Sequence, residues 1–525
     1  YRDAGEPPAD ADDARLRLGI ALSRDGALED AVAALERITP EAPDAVRARA
    51  RFETARALLA LGRDGEAEAL LDALLAMPGG ERFEASALRD LASIATRADQ
   101  PARAARYLER AAGASDDPAF RAAALLERGR ALLAAGEPSE AAGVLDEAEA
   151  AAQAGAGNDA EAGALRVVAL ARSGRPEAAV RVYDRVDLGS VPTDTARLAR
   201  FEAARALRGL GEGDRAAALL ESLRSGDAAL DGEAGGPDEI GAFAAFELAL
   251  LRVERERYER GEALLRELVE SRPPAPIAGR AAYQLAWTRR ELGDSRGAVA
   301  ALAGARERGW DLGALWPAAA LLEGEALLAL DRPRDAAKVL SRVADAREAV
   351  DELEAALLRL GEAHAAQQDW AASRAAYERH LREFPESELW FRSWFGAGWA
   401  LENAGEPERA IERYRRVTER HRGPTAARAQ FQIGESLFAL GRLEEAAAEL
   451  LRTDILHAQP EWSAAALYEA GRVFERMNKV GEARAQYREV IERFGGRDWA
   501  TLARERLEAL RAPALPGAGD GGGER

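Results

Sequence analysis

Ser393-Trp-Phe-Gly-Ala-Gly-Trp-Ala-Leu-Glu-Asn-Ala-Gly-Glu-Pro407 is the stretch that decides the fold. Gly398, and Ala410 just beyond the stretch, fall where two consecutive helices, A and B, cross in a hairpin. Small side chains there let the backbones approach, and a larger residue overpacks the contact by roughly 1–3 kcal/mol. Gly405 ends helix A, because glycine accepts the left-handed conformation of a helix C-terminus. Pro407 opens helix B, where its missing N–H costs nothing. Trp394, Leu401, Tyr414 and Val417 are expected to fill the hairpin.

Working outward, the pattern recurs. Gly19, Ala55, Ala92, Gly129, Val167, Ala204, Ala249, Ala286, Gly324, Gly361, Gly398, Gly434 and Gly471 occupy the small slot of helix A, a step of about 37 residues. The matching slot of helix B runs from Ala31, Ala67 and Ala104 to Ala410, Ala446 and Ala483. Glycine often stands at the turn between the helices, as at Gly62, Gly211 and Gly441, and proline opens helix B at Pro101, Pro138, Pro176, Pro333 and Pro407. The expectation is an all-α superhelix of about thirteen hairpins. Its weakest units are the third, at Ala92, and the fifth, where Val167 replaces the small residue.

Trp394, Ala397, Gly398 and Leu401 follow Trp-x2-Leu-Gly-x2-Tyr, with Ala in the Leu slot and Leu in the Tyr slot, and Ala410 and Tyr414 follow Ala-x3-Phe. On these residues the chain resembles the tetratricopeptide repeat family, whose usual period is about 34 residues. The resemblance implies a solenoid that holds other molecules, a non-enzymatic scaffold without cofactors.

Composition agrees. The 525 residues exceed a single hydrophobic core, so the chain is either several domains or an open array. Ala, Leu, Arg and Glu dominate, which favours helix. Aromatics are 6% of residues, suited to Ala-rich helix contacts. A formal charge of −19 argues against a nucleic-acid partner, which needs a basic surface. Absent cysteine removes disulfides, thiolate metal sites and thiol nucleophiles. No apolar run reaches the roughly 20 residues needed for membrane insertion. The chain opens at Tyr1, which fits a processed leader or the trimming of a longer protein.

The expected organisation is a disordered arm over 1–11, an N-terminal superhelix over 12–224, a Gly/Pro-rich segment over 225–238, a C-terminal superhelix over 239–495, a capping helix over 496–511 and a disordered tail over 512–525. The segment Ser225–Asp238 reads as a surface loop or, more sharply, as a hinge between two halves. The capping helix presents Trp499, Leu502, Ala503, Leu507 and Leu510 on one face to cover the last repeat. All nine tryptophans lie after residue 280, which makes the second half better packed, more adhesive, or both.

Catalytic patterns are missing. His364 and His380 fall in core slots, while His421 and His457 sit near the ends of B helices, where a cation favours the dipole. No histidine pair has metal-ligand spacing with a carboxylate. Gly209-Leu-Gly-Glu-Gly213 follows a helix rather than a strand, so it is a repeat turn and not a dinucleotide loop. The many Glu and Asp residues read as solvated faces or partners of Arg.

In the family it resembles, helix A lines the concave wall. The resemblance then turns inward the slots three before, one after and four after the small residue. The candidate partner-binding residues are Tyr283, Trp287, Arg290, Phe395, Trp399, Phe431, Phe438, Tyr468 and Arg472. Two roles are open to the rings. They brace successive A helices, or they form pockets for a peptide or partner helix, with Arg to fix carboxylates. Phe384-Pro-Glu-Ser387 and Tyr487–Phe494 resemble long-period repeats of bacterial envelope proteins, namely the Tol–Pal cell-division coordinator and the lipoprotein of the outer-membrane assembly machine. That likeness implies a periplasmic scaffold that binds a protein or peptide, although no cysteine supports a lipid anchor. A cytoplasmic sensor or regulatory region of a larger protein is the first alternative. A helical accessory region of an envelope glycan-cleaving enzyme is the second.

Overall fold

The computed structural model describes residues 9–154, 159–225, 238–347 and 349–510. Most of the expected arm, nearly all of the segment at 225–238 and the whole of 512–525 lie outside the described residues. The chain divides into two compact units, Tyr1–Pro274 and Ala275–Arg525.

The first unit holds seven hairpins: α1 (Ala9–Arg24) with α2 (Leu28–Leu35), α3 (Asp44–Ala60) with α4 (Asp64–Leu75), α5 (Glu84–Arg97) with α6 (Pro101–Gly113), α7 (Pro118–Ala134) with α8 (Pro138–Ala154), α9 (Ala160–Arg172) with α10 (Pro176–Tyr183), α11 (Thr193–Gly209) with α12 (Gly213–Ser225), and α13 (Glu239–Glu254) with α14 (Tyr258–Glu270). The second holds six more: α15 (Ala275–Glu291) with α16 (Ser295–Glu307), α17 (Trp316–Ala329) with α18 (Pro333–Asp345), α19 (Leu353–Ala366) with α20 (Trp370–Glu383), α21 (Trp390–Asn403) with α22 (Pro407–Arg420), α23 (Pro424–Ala439) with α24 (Leu443–His457), and α25 (Pro460–Arg476) with α26 (Val480–Phe494). A final helix, α27 (Asp498–Ala509), follows. Apart from three short 3-10 turns, no other regular element occurs among the described residues. The fold is the all-α array of hairpins that the repeat phase predicts.

One contact builds each hairpin. A Cβ on Gly398 would stand 2.7 Å from the Tyr414 ring; on Gly361, 2.6 Å from Tyr377; on Gly324, 2.6 Å from Leu340; on Gly434, 2.5 Å from Leu450. All four glycines therefore occupy equivalent crossings. Each receives a large side chain from helix B sixteen residues later. Where the slot is alanine, as at Ala55 and Ala204, the partner is a buried leucine, Leu71 or Leu220. The fifth hairpin departs from this. Val167 is fully buried, its partner Tyr183 stays half-buried, α10 has only 8 residues, and α9 packs closely on α11. The third hairpin is regular, with Ala92 and Leu108 both buried.

The A-to-B turns repeat one backbone conformation. Gly26, Gly62, Gly136, Gly174, Gly211, Gly293, Gly405 and Gly441 have positive φ, and so do Asp99, Glu256, Asp331, Gln368 and Asn478 at the same place in the other repeats. After α21, the Glu406 amide donates to the Leu401 carbonyl at 2.9 Å and that of Gly405 donates to Glu402 at 3.0 Å, a Schellman turn. Repeats without glycine adopt the same turn at a conformational cost, because stacking over-determines it.

Several boundaries differ from expectation. Helix α1 begins at Ala9, inside the expected arm, and α27 spans Asp498–Ala509 rather than 496–511. The division between units falls at Pro274 and Ala275, one hairpin later than 225–238, and α12 and α13 on either side of that segment pack together. Helix–helix burial decides such a boundary, and a Gly-rich insertion does not interrupt it. Within the second unit each A helix touches the next, whereas successive B helices touch little or not at all. The stack is therefore closer on the A side, and the A helices form its inner face. Helix α27 closes this ladder, with Ala500, Ala503 and Leu507 buried beside Tyr468 and Tyr487.

Candidate functional site

All nine candidate residues lie in the second unit, on α15, α21, α23 and α25. The slot three before the small residue is mostly closed. Phe431 and Tyr468 each keep 9% of their surface, and Phe52, Phe201 and Phe246 in the first unit are equally buried. Phe431 packs on Trp462 at 5.6 Å between ring centres, and Tyr468 packs on Tyr487 at 5.6 Å and Trp499 at 5.3 Å. These rings brace neighbouring repeats. For Phe431 and Tyr468 the inward assignment needs correcting, because these two rings pack against neighbouring helices. Tyr283 and Phe395 remain half-buried.

The other two slots stay open. Trp287 is half-buried, with the Arg290 guanidinium 5.8 Å from its ring, and Arg290 also pairs with Glu291 at 2.7 Å. Trp399 is half-buried and meets Trp370 edge-on at 5.7 Å. Arg472 is exposed, pairs with Glu469 at 2.8 Å and lies 5.8 Å from the half-buried Phe438 ring. The structure thus joins Phe438 with Arg472, and Trp287 with Arg290, as pairs of ring and cation.

Residues beyond the nine candidates complete the face: Arg428, which no repeat slot singles out, and Glu402, Glu435 and Glu475, which fall in the inward slots. Arg428 on α23 lies 4.8 Å from Phe395 and 5.6 Å from Trp462, so one guanidinium is held between rings of α21 and α25. Glu402 accepts hydrogen bonds from Tyr414 at 2.6 Å, Gln432 at 2.9 Å and Ser436 at 3.2 Å. It ties hairpin to hairpin, and Tyr487 and Arg506 do the same through Glu475. Glu435 has a buried carboxylate oxygen without a partner. Burial first, then the neighbouring Glu469 carboxylate, pushes its pKa up to about 7, against the pull of Arg472. Glu435, Phe438, Arg472, Glu475, Arg476 and Arg506 line a cleft of about 570 Å³.

At the ends of the B helices the histidines are disfavoured as cations rather than favoured. Burial lowers the pKa of both His421 and His457, and the Arg422 charge lowers that of His457 further. His421 stacks on Phe391 at 3.8 Å. His380 is fully buried against Ser393, with 2.9 Å between Nδ1 and Oγ. Among the described residues no group of three or more His, Cys, Asp or Glu side chains could hold a metal ion. No helix of those residues is long and apolar enough to cross a membrane.

Stacked two-helix units with a ring-bearing inner face define a helical repeat solenoid. Sequence profiles described as the tetratricopeptide repeat match residues 89–156, 162–273, 321–388, 395–460 and 465–496, together more than half of the chain. The chain belongs to the tetratricopeptide repeat family. No curated protein matches it. Similar solved structures include a tetratricopeptide repeat protein from Parabacteroides merdae, at 12% identity over 52% of this chain and 99% of that one, TM-score 0.35. A second is YrrB, described as a TPR protein with an unusual peptide-binding site, at 18% identity over 36% and 91%, TM-score 0.29. A third is the Cut9–Hcn1 hetero-tetramer of the APC/C, at 11% identity over 96% and 97%, TM-score 0.32.

Proposed function

We propose that the chain is a non-enzymatic scaffold that holds a peptide or partner protein against the inner face of its second unit. The observation that carries this reading is the row of half-buried rings with cations over them: Trp287 with Arg290, Phe395 with Arg428, and Phe438 with Arg472. Aromatic and Arg side chains that stay partly exposed at a groove are the residues that dominate binding hot spots. Trp399 adds a large apolar surface to the same wall.

Partner capture before and after combining Phe395→Ala with Trp399→Ala tests it. The pair should weaken capture more than it lowers the melting temperature. Equal losses in both would assign these rings to bracing alone.

The resemblance of Phe384–Ser387 and Tyr487–Phe494 to envelope repeats supports a bacterial periplasmic setting, where the partner would be another envelope protein. Fractionation of cells expressing the natural gene tests the setting. Recovery in the cytoplasm would favour a sensor or regulatory region of a larger protein, and glycan cleavage by the purified chain would favour the enzyme-associated alternative.

A further inference from the structure

The outer side of the second unit carries a feature that the inner face does not explain. Helices α22 and α24, with α23 as floor, bound a cleft of about 490 Å³ lined by Arg415, Arg422, Gln430, Arg452, Leu456 and His457. Its charge runs against that of the whole molecule. Three guanidiniums, of Arg415, Arg422 and Arg452, line the cleft with the carboxylates of Glu419 and Glu449, and Glu445 also lies near Arg415, in a chain of formal charge −19. Glu449 is already engaged, by Gln430 at 2.8 Å and Arg452 at 2.8 Å. Arg415 is exposed and among the described residues forms no ion pair, Glu419 pairing instead with Arg416 at 3.9 Å, and among those residues Arg422 donates only to the backbone carbonyls of Thr418 and His421, at 2.9 and 3.1 Å.

Two further observations mark the same place. Both ring nitrogens of His457 are buried, and among the described residues neither has a hydrogen-bond partner. Leaving such atoms unpaired costs free energy, so this corner of the repeat is incompletely satisfied by its own side chains. Beside it, Ile455 and Leu456 are 75% and 60% exposed. Among the described residues this is the one place where two consecutive large apolar side chains are exposed. Neither packs in the hairpin or in the next repeat, so the last turn of α24 presents them to solvent.

We propose that this outer cleft is a second docking surface, and that it takes an acidic partner segment carrying a bulky apolar side chain. Carboxylates of the segment meet Arg415 and Arg422, and the apolar side chain covers Ile455 and Leu456. The charge complementarity selects an acidic segment over a basic one. Burial of the apolar pair supplies affinity that charge alone does not. The surface lies on the B side and does not depend on the inner-face reading.

The test uses the full chain and a short fluorescein-labelled peptide alternating Glu and Leu, followed by fluorescence anisotropy. Saturable binding is expected. Combining Arg415→Glu with Arg422→Glu should weaken it by about tenfold or more. Ile455→Ser with Leu456→Ser should weaken it independently. Phe395→Ala with Trp399→Ala on the inner face should leave it unchanged. Both outer pairs lie at exposed positions, and circular dichroism confirms that each variant is folded. The proposal is overturned by no saturable binding at millimolar peptide, or by equal binding to the charge-reversed protein. It is also overturned by equal binding of a peptide with Ser in place of Leu, by loss of binding in the inner-face variant, or by preference for an oligonucleotide or an anionic vesicle.

Discussion

At the scale of the residue, the fold rests on a missing methyl group. The Tyr414 ring lies where a side chain on Gly398 would be, and burial pushes the Tyr414 hydroxyl pKa up, so it keeps its proton and donates a hydrogen bond to Glu402. Gly398→Ala should destabilise the second unit by roughly 1–3 kcal/mol, because ring and helix must separate. Denaturant unfolding measures this, and an unchanged midpoint would place the crossing elsewhere. The turn residues predict the opposite sign. Gln368 holds φ at 60° and Glu256 at 57°, in the position that Gly405 fills with φ 82°. Gln368→Gly should stabilise by up to about 1 kcal/mol, since a left-handed conformation costs a non-glycine residue roughly that much or more. A lowered melting temperature would show that the Gln368 side chain matters more than its backbone.

Glu435 makes a prediction with a definite pH window. Its folded pKa is about 7, above the ordinary carboxylate value of 4.5. Between those values the unfolded chain has lost the proton while the folded chain keeps it. The residue therefore lowers stability as pH rises from about 4.5 to about 7, and the loss persists above. Glu435→Gln should leave stability unchanged near pH 4 and raise it near pH 8, by about 1–3 kcal/mol after allowance for partial exposure. Parallel stability–pH curves for the two proteins would contradict this.

At the scale of the element, equivalent positions do different work. Phe395 and Phe431 hold the same slot on consecutive A helices, yet Phe431 is buried under Trp462, while Phe395 is half-buried under the Arg428 guanidinium. Phe431→Ala should cost about 3–5 kcal/mol, as for a buried ring, and Phe395→Ala clearly less. Comparing the two unfolding midpoints checks the assignment. The slot itself is legible in the sequence because it follows from the helical period. The ring's exposure is not, because it depends on which side chain the next helix lays across it. The same reason hides Arg428, which belongs to no repeat slot and becomes part of the face only when α21, α23 and α25 stack.

At the scale of the whole molecule, each unit is a one-dimensional stack in which a hairpin is held by its neighbours. Helix α27 is the last of them, and Tyr468, Tyr487 and Val490 are buried where it packs. Deleting 498–525 should therefore loosen α25 and α26 first and leave α15 to α20 protected. Hydrogen exchange by mass spectrometry reads this directly, and uniform loss of protection would mean that the unit unfolds as one block.

The amino-acid sequence by itself determined the hairpin, its thirteenfold recurrence, the turn positions and the closing helix. All of these follow from local causes: small residues at crossings, glycine or a tolerated substitute at a left-handed turn, proline at a helix start. Only the tertiary structure decided where the compact units divide, which rings face solvent, and that Glu435 and His457 keep buried polar atoms unpaired. Those depend on the distance and rotation between one hairpin and the next. Many side chains set that geometry jointly, and no single repeat records it.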